Sequence, residues 1–388
     1  MKSKLIRYPL TNFSRTQVLF FVWFFSILGL AARISLVFSS TNFDFESYKI
    51  TASLVLDGTP PWQSQRYNYG ITWSLILSSL QLASFSNDFI FRLLIIIVLS
   101  IADIVISLTL KRWFGYKAAL IFFLNPISIL ITGHYNQFDN LSIAVGMLAL
   151  NSLIDFEKNG TFKHLVHAIL LFSLSLTIKH NLVLFLLWFI FSNFSKRVKL
   201  SLIAIPYSLF LLHFIPFMLQ SSKDKNSIMS AVFKYWSSNN APFWKFWFWN
   251  KDFAESLGDH TAWHHGRLWI LLMTSALLVV GFYSRRRSLK EQLAIYTLAL
   301  VIFSSALVDQ FLAIAALGAS VYFSVGFFIF FIFSFFYLLT APAGLALIQG
   351  KDSLLLQSTF IKIVPWLLLL GLLTNLKSLR FETVDEAD

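Results

Sequence analysis

The residues that could do chemistry gather in a few short stretches. Asp44 and Glu46 stand close together. His134, Asn136, Gln137 and Asp139 crowd one turn, Lys179 and His180 are adjacent, and so are Asp309 and Gln310. Arg66, Tyr67, Asn68, Tyr69 and Arg92 add cations, an amide and phenols, and Trp62 and Trp73 add indole rings. Aromatic rings with amides or carboxylates suit the faces and hydroxyls of sugars. Cations suit a phosphate, and an Asp can take the proton of an attacking hydroxyl. Neither a Walker A sequence nor a Gly-rich phosphate loop is present. The chain has no Cys, so it offers no disulfide and no thiolate chemistry. His260, His264 and His265 bring no matching ligand set, so no metal site is expected.

The elements that position these residues follow from composition. Of 388 residues, 57% are hydrophobic and only 13% charged, with 43 Phe and 12 Trp. A soluble domain carries about a quarter charged residues. This balance excludes a water-soluble enzyme, a disordered chain and a nucleic-acid binder, and makes lipid the solvent for most of the surface. The +12 net charge then reads as basic residues retained on the cytoplasmic side.

Apolar stretches fall at 17–38, 89–110, 118–133, 141–155, 165–178, 182–194, 200–219, 268–283, 293–307, 311–323, 325–341 and 361–376. The predicted fold is all-α and polytopic, a single integral-membrane domain over 1–388 with about twelve transmembrane helices. The stretch 45–56 reads as a short amphipathic helix ended by Gly58-Thr59-Pro60-Pro61, since Pro cannot continue a helix. The stretch 71–85 reads as re-entrant or interfacial. With it counted as non-spanning, the basic clusters Lys158/Lys163, Lys196/Arg197/Lys199, Arg285–Arg287/Lys290 and Lys377/Arg380 all fall on the side of the N-terminus. Segments 39–88, 220–265 and 342–360 then lie outside. So do all the candidate residues named above, and Lys179 breaks the basic-inside trend there. The run 243–249 is read as an aromatic belt or as a lid.

In order, Asp44-Phe-Glu46-Ser-Tyr48, Arg66-Tyr67-Asn68-Tyr69-Gly70, Arg92, Asp103, Asn125-Pro126, Gly133-His134-Tyr135-Asn136-Gln137-Phe138-Asp139-Asn140, Lys179-His180 and Asp309-Gln310-Phe311 resemble a family. Over roughly residues 15–320 the chain is similar to the GT-C superfamily of polyprenyl-phosphate-sugar-dependent glycosyltransferases. Within it the chain resembles the dolichyl-phosphate-glucose glucosyltransferases of N-glycan assembly and, more distantly, the GPI mannosyltransferases. The family's Asp-Tyr-Pro-Pro is Asn68-Tyr69-Gly70-Ile71 here.

The resemblance implies a large first extracytoplasmic loop with interfacial helices and a catalytic base at Asp44. It also implies a hexose donor, glucose or mannose, on a polyprenyl or dolichyl phosphate. The acceptor would be a hydroxyl of a lipid-linked or surface glycan, and transfer would invert the anomeric centre. Glu46, Arg66, Tyr69, Arg92, His134, Gln137, Asp139, Lys179, His180, Asp309 and Gln310 are the expected substrate-binding residues, with Lys179 near the donor phosphate. The expected setting is a prokaryotic plasma membrane, or alternatively the endoplasmic reticulum, with the site on the extracytoplasmic or lumenal face.

Simpler readings stay open. Asp44 and Asp139 could be helix caps, Lys179 and Arg92 could snorkel, and Asp103 could be a buried polar partner. A transporter or flippase of a polar or lipid-linked solute, or a non-catalytic assembly subunit, remains an alternative for the whole chain.

Overall fold

The structure, a computed structural model, describes residues 15–64, 66–215, 262–304, 307–340 and 351–375. The segment around 220–261, with its aromatic run and His260, lies outside the described residues, as do Lys377 and Arg380. Every regular element among the described residues is helical. A chain in lipid must satisfy its backbone within each segment, which favours this outcome.

Helix α1 (Arg15–Ser35) runs into a 3-10 turn at Leu36–Phe38. Its Trp23 is 68% exposed, and Phe20, Phe24, Ile27 and Leu28 stand out beside it. Water would penalise such a face; acyl chains do not. The segment 39–88 supplies α2 (Phe43–Leu56) and α3 (Ile71–Ala83). α4 (Asp88–Phe114) has 27 residues, about 40 Å at the helical rise. Asn87 caps its start by accepting from the Ile90 N–H, Asp88 sits in its first turn, and Lys111 and Arg112 occupy its last. Each charge opposes the helix dipole at its own end.

α5 (Tyr116–Leu124) and α6 (Pro126–Gly133) meet at a 49° bend. Pro126 takes the first helical position, and Asn125 caps it by accepting from the Ser128 N–H. α7 (Asp139–Asn159) packs along α8 (Phe162–Ile178). The chain then turns by 116° into His180–Phe191, which is built of 3-10 turns around the single helical turn α9 (Val183–Leu186). There follow α10 (Lys196–Leu212), α11 (Ala262–Ser284), α12 (Leu289–Ile302), α13 (Phe311–Val321), α14 (Val325–Thr340) and α15 (Lys351–Thr374).

Each of the twelve apolar stretches thus holds helix. Among the described residues, however, only Phe20–Phe38 and Asp88–Phe114 suffice by length and composition to cross a bilayer, or up to four spans if each bent pair counts as one. The other described apolar helices are short: Ile71–Ala83, Ile270–Ser284, Phe311–Val321, Val325–Thr340 and Lys362–Thr374.

Two cores organise the molecule. The larger runs through α4 to α8 and on through α12 to α15. The smaller is aromatic: Phe45 and Tyr48 of α2, Trp62, Tyr67, Trp73 of α3, Phe91 of α4 and Phe138. Its centre is the stack of Trp73 on Phe138, 4.5 Å between centroids and 13° between planes. Each such ring pair adds roughly 0.5–1.5 kcal/mol beyond area burial. This core fastens the segment 39–88 to the helical body.

A polar knot lies inside the bundle. Arg33 of α1 donates through Nε to Asp103 Oδ2 of α4 at 2.9 Å and through its other nitrogens to the Gly29 carbonyl and Ser128 Oγ. Asp103 also accepts from Ser128 and Thr132 of α6 and from Asn140 of α7. Arg33 and Asp103 are fully buried. The helices approach closely here, because a Cβ on Gly133 would lie 2.7 Å from the Arg33 carbonyl oxygen.

Candidate active site

Asp44 is not a cap. Asn42 caps α2, its Oδ1 accepting from the Phe45 N–H at 2.9 Å. Asp44 sits inside the first turn, where its carboxylate is spared for other partners. Gln137 Nε2 donates to Asp44 Oδ2 at 2.6 Å, a bond between α2 and the turn that joins α6 to α7. Gln137 Oε1 and Asn136 Oδ1 are buried without partners. Gln137 Oε1 is thus an unpaired acceptor on the amide that meets the Asp44 carboxylate.

The same turn is tied to the residues that lead into α2. Asn42 Nδ2 donates to the His134 carbonyl at 3.0 Å, and Ser39 Oγ pairs with His134 Nδ1 at 2.8 Å. Asn136 holds a left-handed φ of 56°, which Asn tolerates better than most residues, and folds its amide back on the Thr132 and Gly133 carbonyls.

Asp139 is the first residue of α7, with Phe138 in the cap position. Its carboxylate accepts from Lys179 Nζ at 2.6 Å and from Asn181 Nδ2 at 3.1 Å. Both members of this ion pair are buried. Lys179 Nζ also lies over the rings of Tyr69 and Phe138, 4.8 and 4.6 Å from their centroids. Asp309 accepts a hydrogen bond from the Tyr337 hydroxyl of α14.

Burial pushes the Asp44 carboxyl up to about 6. Asp309 and Asp139 push the same way; Lys179 and the Gln137 hydrogen bond pull it back. Asp309, too, is held above its ordinary range by burial. The arrangement is a partly desolvated carboxylate, poised between its two forms near neutral pH. It faces one buried cation, two further carboxylates and an aromatic wall. It can take a proton from a hydroxyl and bind a polyol. Among the described residues no group of three or more His, Cys, Asp or Glu is placed to hold a metal ion.

The structure therefore brings together Asp44, Gln137, Asp139, Lys179, Tyr69 and Asp309, with His134 beneath them. It sets other predicted residues apart. Glu46 turns outward to Lys49, at 3.6 Å, which in turn pairs with Asp88. Arg66 is exposed and lies over the Phe43 ring. Arg92 spends its terminal nitrogens on the Val37 and Ser39 carbonyls and Ser39 Oγ, so it braces the end of the 3-10 turn. His180 is exposed against the Phe210 ring. Gln310 takes the cap position of α13 without capping it through its side chain. Sequence reasoning overlooked Ser39, Asn42, Asn181, Tyr337 and Arg33. Only Arg33 carried a signal, as a cation late in an apolar stretch.

No protein-family model matches the chain, and no curated protein matches it by sequence. The structure is similar to the crystal structure of ArnT from Cupriavidus metallidurans in the apo state. The TM-score is 0.51 at 12% identity, over 92% of this chain and 78% of that one. The described residues thus form an all-helical fold similar to that of ArnT.

Proposed function

We propose that this chain is a multi-pass membrane glycosyltransferase. It moves a hexose, glucose or mannose, from a polyprenyl- or dolichyl-phosphate donor to a hydroxyl of a lipid-linked or surface glycan. The reading includes the twelve-segment topology with the site on the extracytoplasmic face. The observation that carries it is Asp44, held by Gln137 in front of the Lys179–Asp139 pair on an ArnT-like fold.

In the proposed step Asp44 accepts the proton of the acceptor hydroxyl. The freed oxygen pair attacks the anomeric carbon, and the carbon–oxygen bond to phosphate breaks with its electrons staying on the lipid phosphate. A β-linked donor would give an α-linked product. Lys179, fixed in place by Asp139, meets the departing phosphate. Gln137 Oε1 and Asn136 Oδ1 receive sugar hydroxyls, with Tyr69, Trp73 and Phe138 as the aromatic floor. A transporter would need a continuous polar path, and the Arg33–Asp103 knot is sealed on all sides, which supports the enzyme reading over that one.

The test incubates the purified full chain with polyprenyl-phosphate-linked glucose, mannose and non-hexose sugars. Product mass and anomeric configuration are then read. An inverted hexoside is the expected result. Transfer of a non-hexose sugar alone would overturn the hexose assignment, and no transfer with any donor would overturn the reading.

A pH dependence follows. The base must be ionised, and its carboxyl is raised to about 6. Transfer should therefore fall as the pH drops through about 6 and level off above it. The profile of kcat/KM between about pH 5 and 8 reports this free-enzyme ionisation. An acid limb lying near 4 would mean that the base is an unperturbed carboxylate.

A further inference from the structure

Resting on the reading of Asp44 as the base, we infer that Asp103 is a positioning residue that grips both stems of the 133–139 turn and so fixes where Gln137 holds the Asp44 carboxylate. Asp103 does not touch Asp44. One of its oxygens, Oδ2, takes Thr132 Oγ1 at 2.8 Å and Ser128 Oγ at 3.2 Å, both on the stem that enters the turn. The other, Oδ1, takes Asn140 Nδ2 at 2.6 Å, on the stem that leaves it. Arg33 neutralises the carboxylate from α1.

With both ends clamped, the turn has little freedom. The Gln137 N–H donates to the Ile131 carbonyl at 3.1 Å, the Tyr135 N–H donates to Leu130, and Asn136 closes on Thr132 and Gly133. Gln137 then projects from a fixed base to Asp44 at 2.6 Å. Asp139, the neighbour of Asn140, is aimed at Lys179 by the same anchoring. A carboxylate this deep in an apolar bundle is costly and calls for a role, and gripping both stems of the turn supplies one.

The test uses Asn140→Ala, which frees one stem and leaves the Arg33–Asp103 pair, Ser128 and Thr132 in place. Thr132→Val, nearly isosteric, frees the other stem and serves where Asn140→Ala fails to insert. Asn151→Ala is the control, because Asn151 lies on the same helix as Asn140, α7, and loses only a 2.8 Å bond from Trp113 of α4. Two quantities are measured on the purified full chain. One is transfer, as kcat and donor KM. The other is the pH midpoint of carbodiimide labelling at Asp44, read by mass spectrometry, which needs no catalysis.

The groups facing Asp44 are Lys179, Asp309, Asp139 and Gln137, with the phenols of Tyr48 and Tyr135. Neither stem variant changes any of them, so a shift reports the Gln137 contact. Loosening that contact should raise the labelling midpoint by up to about one unit. It should also lower kcat by roughly 10–100-fold with donor KM little changed, as a small misplacement does. Asn151→Ala should leave both at wild-type values. Stem variants that label and turn over like wild type would overturn the inference, as would an equal shift in Asn151→Ala. A midpoint shift in a protein that transfers no sugar would uphold the clamp and remove the base role instead.

Discussion

Asp44→Asn is expected to lower the transfer rate by roughly 10²–10⁴-fold, the range that positioned proton transfer supplies. The substitution is a sharp probe because it changes little else. An Asn carbonyl can still accept the 2.6 Å hydrogen bond from Gln137. The α2 cap is made by Asn42 and is untouched. Expression, insertion and thermal stability should therefore match wild type while product formation collapses. The loss should fall on kcat, since a base that works only in the transition state contributes little to ground-state binding. A purified Asp44→Asn protein transferring sugar at the wild-type rate would remove Asp44 from the mechanism.

The largest effect on stability is expected at Arg33. Arg33→Met leaves the Asp103 carboxylate fully buried with no countercharge, and losing one partner of a buried pair costs about 3–5 kcal/mol. Asp103→Asn added to it removes the stranded charge. The new carbonyl oxygen can still accept from the Thr132 or Asn140 side. The double variant should recover most of the loss, measured as thermal unfolding in detergent. A double variant as unstable as Arg33→Met alone would show that the hydrogen bonds, and not the charge, hold the four helices.

The fold and the site were legible in the sequence to different degrees. The apolar stretches became helices because lipid leaves few other solutions, and a run of side chains with one polarity is a local property. Whether each helix spans is set by length and bending, and the bends at Asn125–Pro126 and at Lys179 depend on packing. Asp44, Gln137, Asp139, Lys179 and Asp309 could be found because polar groups are conspicuous in so apolar a chain. Glu46 could not be separated from Asp44 by type, yet two helical positions carry it about 200° around α2 and onto Lys49. Arg92 was a candidate phosphate ligand; in the structure it meets the Val37 and Ser39 carbonyls and Ser39 Oγ, partners that the sequence does not mark. Arg33 was missed because its partner lies far along the chain in another helix.

The knot around Asp103 also bears on how the chain is made. All its members, from Arg33 to Asn140, lie in the early part of the polypeptide. Membrane insertion follows synthesis, and early segments can settle while later ones are still on the ribosome. The geometry around Gln137 can thus be assembled in the nascent protein. Asp309, carried by a much later stretch, arrives at a cradle already shaped.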